Sequence, residues 1–216
     1  IRERRPGTPA NIGAALSRCW PLHPVVASLL GPISRRRFSQ NERSTFGFLA
    51  SREPLGFMEF LDGSRVDWTS MYGPSRYWDY LCANLEAAIL ASPDGHRWAI
   101  ASEAVERAEA KGKPLHIELT KCIALIEMFR SGSGLVPELD VLGVCIQGIG
   151  LAQVSAALND LVSWKILIER KHLGAYGVFS RSDFDIEGAI NQARGEIGTP
   201  DLKAISAFTD PQPILS

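Results

Sequence analysis

The sequence lacks the features of a membrane or secreted protein. It contains no run of about 18 uninterrupted apolar residues, which a transmembrane helix requires. Its N-terminus is rich in Arg and then in Pro and Gly, without the apolar stretch of a signal peptide. We therefore expect a cytoplasmic protein with no membrane partner.

Cysteine is scarce and scattered, at Cys19, Cys82, Cys122 and Cys145. The sequence has no CxxC pair, and its four histidines do not cluster with the cysteines. A zinc site would need ligands that converge from remote positions, so we predict no metal site. We expect four free thiols, buried or half-buried, in a reducing compartment.

The sequence also lacks the short motifs that mark catalysis. It has no Gly-Lys-Ser/Thr of a phosphate-binding loop, no G-x-S-x-G nucleophile elbow, no HExxH zinc motif and no EF-hand loop. Gly143, Gly148 and Gly150 have no lysine or preceding strand beside them, so we interpret them as turn glycines. The sequence therefore predicts no catalytic site in this chain.

What the sequence does contain is an ordinary globular composition with an uneven charge. The chain has 216 residues, of which 45% are hydrophobic and 22% charged, enough for one large or two small domains. Residues 1–52 hold nine arginines and two acidic residues, a net charge of +7, whereas the rest of the chain carries −8. This asymmetry predicts either an anionic ligand near the first third or charge pairing between the two parts.

The first half of the chain shows helical periodicity. We predict a short helix over residues 10–18 and another opened by Pro24, which Gly31-Pro32 should break or kink. Ser39-Gln40-Asn41-Glu42 matches a capping box, and the helix after it should carry Phe46 and Leu49-Ala50 inward. Further helices are predicted over residues 53–63, 76–91 and 96–111, with an aromatic and aliphatic stripe in the second of these that we interpret as core.

The second half of the chain predicts three helices and a β-hairpin. The helices are expected over residues 115–130, 137–144 and 151–162, and the strands over 165–170 and 176–179. Three helices followed by a hairpin are typical of a winged helix. A last helix should follow Ser182, and residues 196–216 should be a tail or linker. The fold class is therefore mainly α, with a helical region over 1–111, a winged helix over 112–195 and a tail over 196–216.

Two sets of motifs resemble the large bacterial P-loop ATP-binding proteins of the STAND and AAA-like kind. The first set is PLHP at 21–24, QNERSTFGFLAS at 40–51 and EPLGF at 53–57. The second set is LIERK at 167–171, AYGVF at 175–179 and SDFDI at 182–186, which resembles the winged helix of the same proteins. The resemblance implies a lid-like helical bundle and a winged helix from an ATPase whose ATP-binding core lies upstream of Ile1.

The resemblance also implies which residues sense the nucleotide. Arg43, in the first turn of its helix, would meet a phosphate or an acidic group of the ATPase core, with His23 and Arg37 as further candidates. Each has a structural alternative. Arg43 could form a salt bridge, His23 could cap or pack a helix, and Arg37 could simply favour a helix C-terminus as a cation does.

The alternative function is DNA binding or a role in transcription. Lys165, Arg170 and Lys171, on or beside the predicted wing, are the candidates for contacts with phosphate. The predicted third helix, LAQVSAALNDLV, carries no Lys or Arg, although that helix normally enters the major groove. We therefore do not expect nucleic acid as a partner, and we predict a structural or switching role for this region.

Overall fold

Helices dominate the structure, in agreement with the predicted mainly α fold class. The computed structural model describes residues 11–36, 43–63 and 70–180. Within these ranges, nine helices precede two short strands that form an antiparallel hairpin. The elements are α1 (Ile12–Ser17), α2 (Pro24–Ser34), α3 (Arg43–Ala50), α4 (Phe57–Gly63), α5 (Pro74–Leu90), α6 (Gly95–Lys111), α7 (Pro114–Met128), α8 (Leu139–Cys145), α9 (Leu151–Ser163), β1 (Leu167–Arg170) and β2 (Ala175–Val178).

Helix α2 begins at Pro24, as predicted, but it does not break at Gly31-Pro32. The helix continues to Ser34, so the predicted break was wrong, while the alternative of a kink stays a prediction. Pro32 removes one backbone donor, which lies only two residues from the helix end. Pro32 and Ile33 are both buried, and this packing offsets the lost hydrogen bond.

Helix α3 packs through Phe48, whereas Phe46 is 72% exposed. The prediction that Phe46 points inward was therefore wrong, and Ala50 is also exposed. Two residues that are two positions apart lie on nearly opposite sides of a helix, so only one of the two phenylalanines can face the core. The Phe48 ring centroid lies 4.7 Å from that of Tyr77 and 5.1 Å from that of Tyr72, in edge-on contacts.

Helix α4 begins at Phe57, later than the predicted start at residue 53. Leu55 has a φ of 61°, outside the helical region, and the Gly56 N–H donates to the Glu53 carbonyl at 3.0 Å in a turn. This turn separates Pro54 from the helix that it was expected to open.

Helices α5 and α6 pack against each other, and two stacked tryptophans lie between them. The rings of Trp78 and Trp98 lie 4.4 Å apart at an interplanar angle of 17°. Gly95 allows α6 to begin directly against the end of α5, since a Cβ there would lie 2.2 Å from the Leu90 carbonyl oxygen. The predicted inward positions of both helices are buried or half-buried, which confirms the core interpretation of the stripe.

Helix α7 is the central element, and it contacts α5, α6, α8, α9 and β2. The helix begins at Pro114, and the His116 side chain caps its first turn. The His116 Nδ1 accepts a hydrogen bond from the Lys113 N–H at 3.1 Å, and its Nε2 lies 3.3 Å from the Asp160 carboxylate of α9. The start of α7 is thus fixed to α9 by one side chain.

The hairpin follows α9 as predicted. Its register pairs Leu167 with Val178 and Arg170 with Ala175. A single 3₁₀ turn, Lys171–Leu173, joins the strands, and Gly174 completes the turn with a φ of 59°. This left-handed conformation favours glycine.

The hydrophobic core is continuous across the turn between α6 and α7. The chain divides into two compact units, Ile1–Phe179 and Ser180–Ser216. The domain boundaries at 111/112 and 195/196 stay predictions. The N-terminal arm, the Ser39–Glu42 capping box, the helix after Ser182 and the tail lie outside the described residues.

The cysteines agree with the prediction in part. All four are free, and Cys122 and Cys145 are buried while Cys82 is half-buried. Cys19 is exposed, which corrects the expectation that every thiol is covered. Among the described residues, no three His, Cys, Asp or Glu side chains come together as metal ligands, and no helix there is both long and apolar enough to cross a membrane.

Candidate functional site

His23 is a buried N-cap of α2, and both of its ring nitrogens are hydrogen-bonded. The Nδ1 accepts from the Val25 N–H at 3.2 Å, so the proton is on Nε2, which donates to the Val144 carbonyl oxygen at 3.1 Å. Burial lowers the pKa of His23 below its ordinary 6.5, although the bond to Val144 acts in the opposite direction. The capping alternative for His23 is confirmed, and the residue also links α2 to the end of α8.

The basic run at the end of α2 is partly engaged within the chain. The Arg36 guanidinium donates to the Asp94 carboxylate, and Arg97 lies 3.6 Å from the other oxygen of the same group. Asp94 is 9% exposed, and its pair with Arg36 connects the basic N-terminal third with the acidic remainder, which is one of the two alternatives for the charge asymmetry. Arg37 lies outside the described residues.

Arg43 is the first residue of α3. Its side chain lies outside the described part of the structure, and its predicted role in sensing a nucleotide stays a prediction.

The three wing cations are in different environments. The Arg170 side chain is 29% exposed and donates to the Glu127 carboxylate of α7. Its guanidinium lies across Gly177, where a Cβ would come within 2.8 Å of the Arg170 Cζ. Lys165 and Lys171 are exposed. Of the three predicted cations, Lys165 and Lys171 are therefore the two that lie exposed to solvent.

The outer face of α9 has little that attracts a phosphate. Val154, Ala157, Leu158 and Leu161 face the core. The exposed positions of the helix are Leu151, Ala152, Gln153, Ala156, Asn159, Asp160 and Ser163. This surface combines apolar and uncharged polar side chains with one carboxylate. It contains no Lys or Arg.

A cleft lies beside the N-terminal part of α5, and we call it the α5 cleft. It has a volume of about 500 Å³, within the usual range of ligand sites. One wall is apolar and comes from α4 and the segments that flank it. The opposite wall comes from α5, α7 and the end of α8. The lining residues are Leu55, Phe60, Met71, Gly73, Ser75, Arg76, Asp79, Glu118, Cys145 and Gln147.

Arg76 is held in the α5 cleft by aromatic rings. Its Cζ lies 5.2 Å from the Phe60 ring centroid and 5.7 Å from that of Tyr72, distances typical of cation–π contacts. Its Nε is buried and has no hydrogen-bond partner among the described residues. The guanidinium makes no ion pair within 4.0 Å in the described part of the chain, although the carboxylates of Glu59 and Asp62 line a neighbouring cavity with it.

The acidic groups of the α5 cleft differ in their partners. Asp79 lies 2.8 Å from the Lys121 Nζ, which is also 3.6 Å from Glu109. Glu118 makes no ion pair within 4.0 Å and no hydrogen bond through its side chain in the described part of the chain. Burial raises the pKa of the Glu118 carboxyl, against the opposing effect of Lys121. One cation and one carboxylate in the cleft therefore remain without direct partners.

Sequence reasoning missed this cleft. Arg76 was treated only as the start of a core helix, because its aromatic neighbours Phe60 and Tyr72 come from other segments. The local pattern around Arg76 indicates a site only weakly. Arg76 is a cation that directly follows a turn-rich segment and lies in the first turn of a helix, where a positive charge is unfavourable.

Comparison with family profiles, with curated proteins and with solved structures gave no match. The function must therefore be argued from the arrangement of the residues themselves.

Proposed function

We propose that the chain is a regulatory module, a helical lid followed by a winged helix, of a P-loop ATPase of the STAND or AAA-like kind. In this proposal the ATP-binding core lies upstream of Ile1 in the same polypeptide and is the partner of the module. The chain itself performs no catalysis. It senses whether ATP is bound and transmits that state through its packed helices.

The order of elements from α7 to β2 supports the winged-helix part of the proposal. Three helices precede a two-stranded hairpin, and Glu127 of α7 binds the hairpin through the Arg170 side chain and the Val178 N–H. A wing that is fixed to the first helix of its own domain suits a rigid element that moves as a unit.

The observation that favours a regulatory role over DNA binding is the chemistry of α9 and the wing. The exposed face of α9 has no cation, and Arg170 is paired with Glu127. DNA affinity depends strongly on cations that neutralise phosphates. A surface of this kind is better suited to contacts with protein.

His23 supports the coupling between the two halves. Its bond to the Val144 carbonyl connects the start of α2, in the lid, with the end of α8, in the winged helix. Since both ring nitrogens are already bonded, we assign His23 a positioning role rather than contact with a nucleotide. Arg43 and Arg37 remain the candidates for contact with phosphate or with an acidic group of the core.

The first test is the coding sequence that precedes Ile1. A Walker phosphate-binding motif there would support the proposal, and an upstream region without one would overturn it.

The second test uses the full-length protein and the variant Arg43→Ala. Charge-assisted hydrogen bonds are typically worth about 1.5–3 kcal/mol, so ATP-dependent activity should fall by at least about tenfold. The melting temperature should stay nearly unchanged. Arg18→Ala, which removes an exposed arginine from the same basic segment, serves as the control. Unfolding of the lid by Arg43→Ala, with no specific loss of activity, would assign Arg43 a structural role instead.

A further inference from the structure

A second proposal concerns the α5 cleft and does not depend on the ATPase proposal. We propose that the cleft binds a small zwitterion, whose anionic group is recognised by Arg76 and whose ammonium group is recognised by Glu118. The ligand class follows from the charges that the cleft leaves uncompensated and from the apolar residues that line the same cleft.

The anionic end is assigned by Arg76. Its guanidinium is held against the rings of Phe60 and Tyr72, so little conformational freedom remains to be lost when a ligand binds. Its buried Nε has no partner among the described residues, although a buried polar donor normally has one. A carboxylate or phosphate could accept from this planar group through two oxygens. The Ser75 hydroxyl lines the same cleft and can donate a further hydrogen bond.

The cationic end is assigned by Glu118. Its neighbour Asp79 is already compensated by Lys121 at 2.8 Å, whereas Glu118 has no ion pair or hydrogen bond of its side chain in the described part of the chain. A partly buried carboxylate is stabilised when an opposite charge comes close. An ammonium group on the ligand would supply that charge and three donors.

Part of the cleft lining is apolar. Leu55, Phe60 and Met71 form this part, and the cavity of about 500 Å³ leaves room for a short aliphatic chain. A ligand with an anionic group, a methylene spacer and an ammonium group would therefore match both ends and the middle of the cleft. A simple anion or a simple amine would satisfy only one end.

The experiment is calorimetric titration of the 216-residue chain with ω-amino acids of increasing length, from glycine to 6-aminohexanoate. The single-charge analogues are hexanoate and hexylamine. We expect at least one ω-amino acid to bind at least about tenfold more tightly than either analogue, because only the zwitterion meets both charges. Amide shifts at residues 75–79 in ¹⁵N NMR spectra of the same titration should locate the binding.

Two variants test which residue binds the anionic group of the ligand and which binds its ammonium group. Arg76→Gln should reduce ω-amino acid binding to the level of the amine, and Glu118→Gln should reduce it to the level of the carboxylate. Arg18→Gln and Glu106→Gln, at exposed positions outside the cleft, are the matched controls and should bind as the unaltered chain does. Melting curves establish that each variant is folded, and Arg76→Lys, which keeps the charge, replaces Arg76→Gln if that variant is not.

Three results would overturn the proposal. The first is that no ω-amino acid binds more tightly than the single-charge analogues to the unaltered chain, a comparison that requires no variant. The second is that the control variants lose binding as Arg76→Gln does. The third is that the amide shifts appear away from the residues that line the cleft. None of these results bears on whether a P-loop precedes Ile1, so the two proposals fail separately.

Discussion

One carboxylate, that of Glu127, binds the β-hairpin at two points. One of its oxygens accepts from the Arg170 guanidinium on β1, and the other accepts from the Val178 N–H on β2 at 2.7 Å. The Glu127 side chain is 19% exposed and that of Arg170 is 29% exposed. A helix and both strands of the hairpin therefore meet at a single, partly buried acidic group.

The first prediction concerns this contact. Glu127→Ala should lower the free energy of unfolding by about 2–4 kcal/mol, because it leaves the Arg170 charge and the Val178 donor without their partner. Glu127→Gln should cost less, since its amide oxygen can still accept from Val178. Chemical denaturation measures both changes. Glu106→Ala, at an exposed position of α6, should change stability by less than about 0.5 kcal/mol and is the control.

A double-mutant cycle separates the ion pair from the rest of the Glu127 contribution. If the losses for Glu127→Ala and Arg170→Ala simply add, the two side chains do not interact energetically and the hairpin is held by other contacts.

The second prediction concerns His23 and pH. Its pKa in the folded state lies below the value of 6.5 because of burial, so the unfolded chain binds the proton first as the pH falls. The stability that neutral His23 contributes should be complete above about pH 6.5 and should decrease as the pH falls from there toward the folded pKa. Each pH unit in that window should cost up to about 1.4 kcal/mol, measured by urea denaturation.

His23→Asn is the matched variant, because Asn also caps helices but does not titrate. It should be less stable than the unaltered chain near neutral pH, and its stability should depend less on pH below about 6.5. An unchanged pH dependence in this variant would mean that another group carries the effect.

The structure shows where sequence reasoning works and where it fails. The helices α5, α6, α7 and α9 and the hairpin were predicted within a few residues, because long periodic segments and a turn between β-rich runs are local signals. The inward placement of Phe46 is wrong because Phe48, two positions later, competes for the same core and packs against Tyr72, just before α5, and Tyr77, in α5. Periodicity over an eight-residue helix cannot decide between them.

The candidate residues show the same limit. That His23 caps α2 could be predicted from its place before Pro24, but its bond to Val144 joins residues 121 positions apart. Arg170 looked like a wing cation because Glu127 lies 43 positions away in the sequence. The α5 cleft depends on Arg76, Glu118 and apolar residues from other segments, and no local pattern brings these together.

The third prediction concerns Lys121, which connects three helices. It lies on α7, is 14% exposed, and pairs with Asp79 of α5 at 2.8 Å and with Glu109 of α6 at 3.6 Å. Burial acts to lower the pKa of Lys121, but the two carboxylates outweigh it and raise the pKa. Lys121→Ala should therefore lower the free energy of unfolding by about 1–3 kcal/mol, because it leaves two acidic groups without their cation while solvent partly screens both carboxylates, which are 39% and 51% exposed.

Lys121→Met keeps the aliphatic packing and removes only the charge, so it separates the two contributions. It should recover part of the loss, and Lys121→Met/Asp79→Asn should recover more by removing the repulsion. Equal stability of the Ala and Met variants would show that packing contributes nothing at this position, and equal stability of the unaltered chain and Lys121→Ala would contradict the network altogether.

The fourth prediction concerns duplex DNA. At physiological salt the chain should bind a duplex of about two helical turns no more tightly than about 10⁻⁶ M, the range of non-specific binding. The exposed face of α9 carries no cation, and Arg170 is paired with Glu127. Fluorescence anisotropy between about 50 and 200 mM salt measures the affinity and its dependence on salt, which reports how many phosphates are neutralised. Lys165→Ala/Lys171→Ala removes the exposed wing cations while it leaves the Arg170 contact intact, and it should change this weak binding little.

A variant that adds cations to α9 is a more informative test of the same prediction. Gln153→Lys/Ala156→Lys/Asn159→Lys adds three cations to the exposed face of α9, and the slope of log affinity against log salt should steepen by about 0.9 for each phosphate that they reach. If the unaltered chain binds tightly with a steep salt slope, and the loss of Lys165 and Lys171 abolishes that binding, the regulatory interpretation of this region fails and the DNA-binding alternative replaces it.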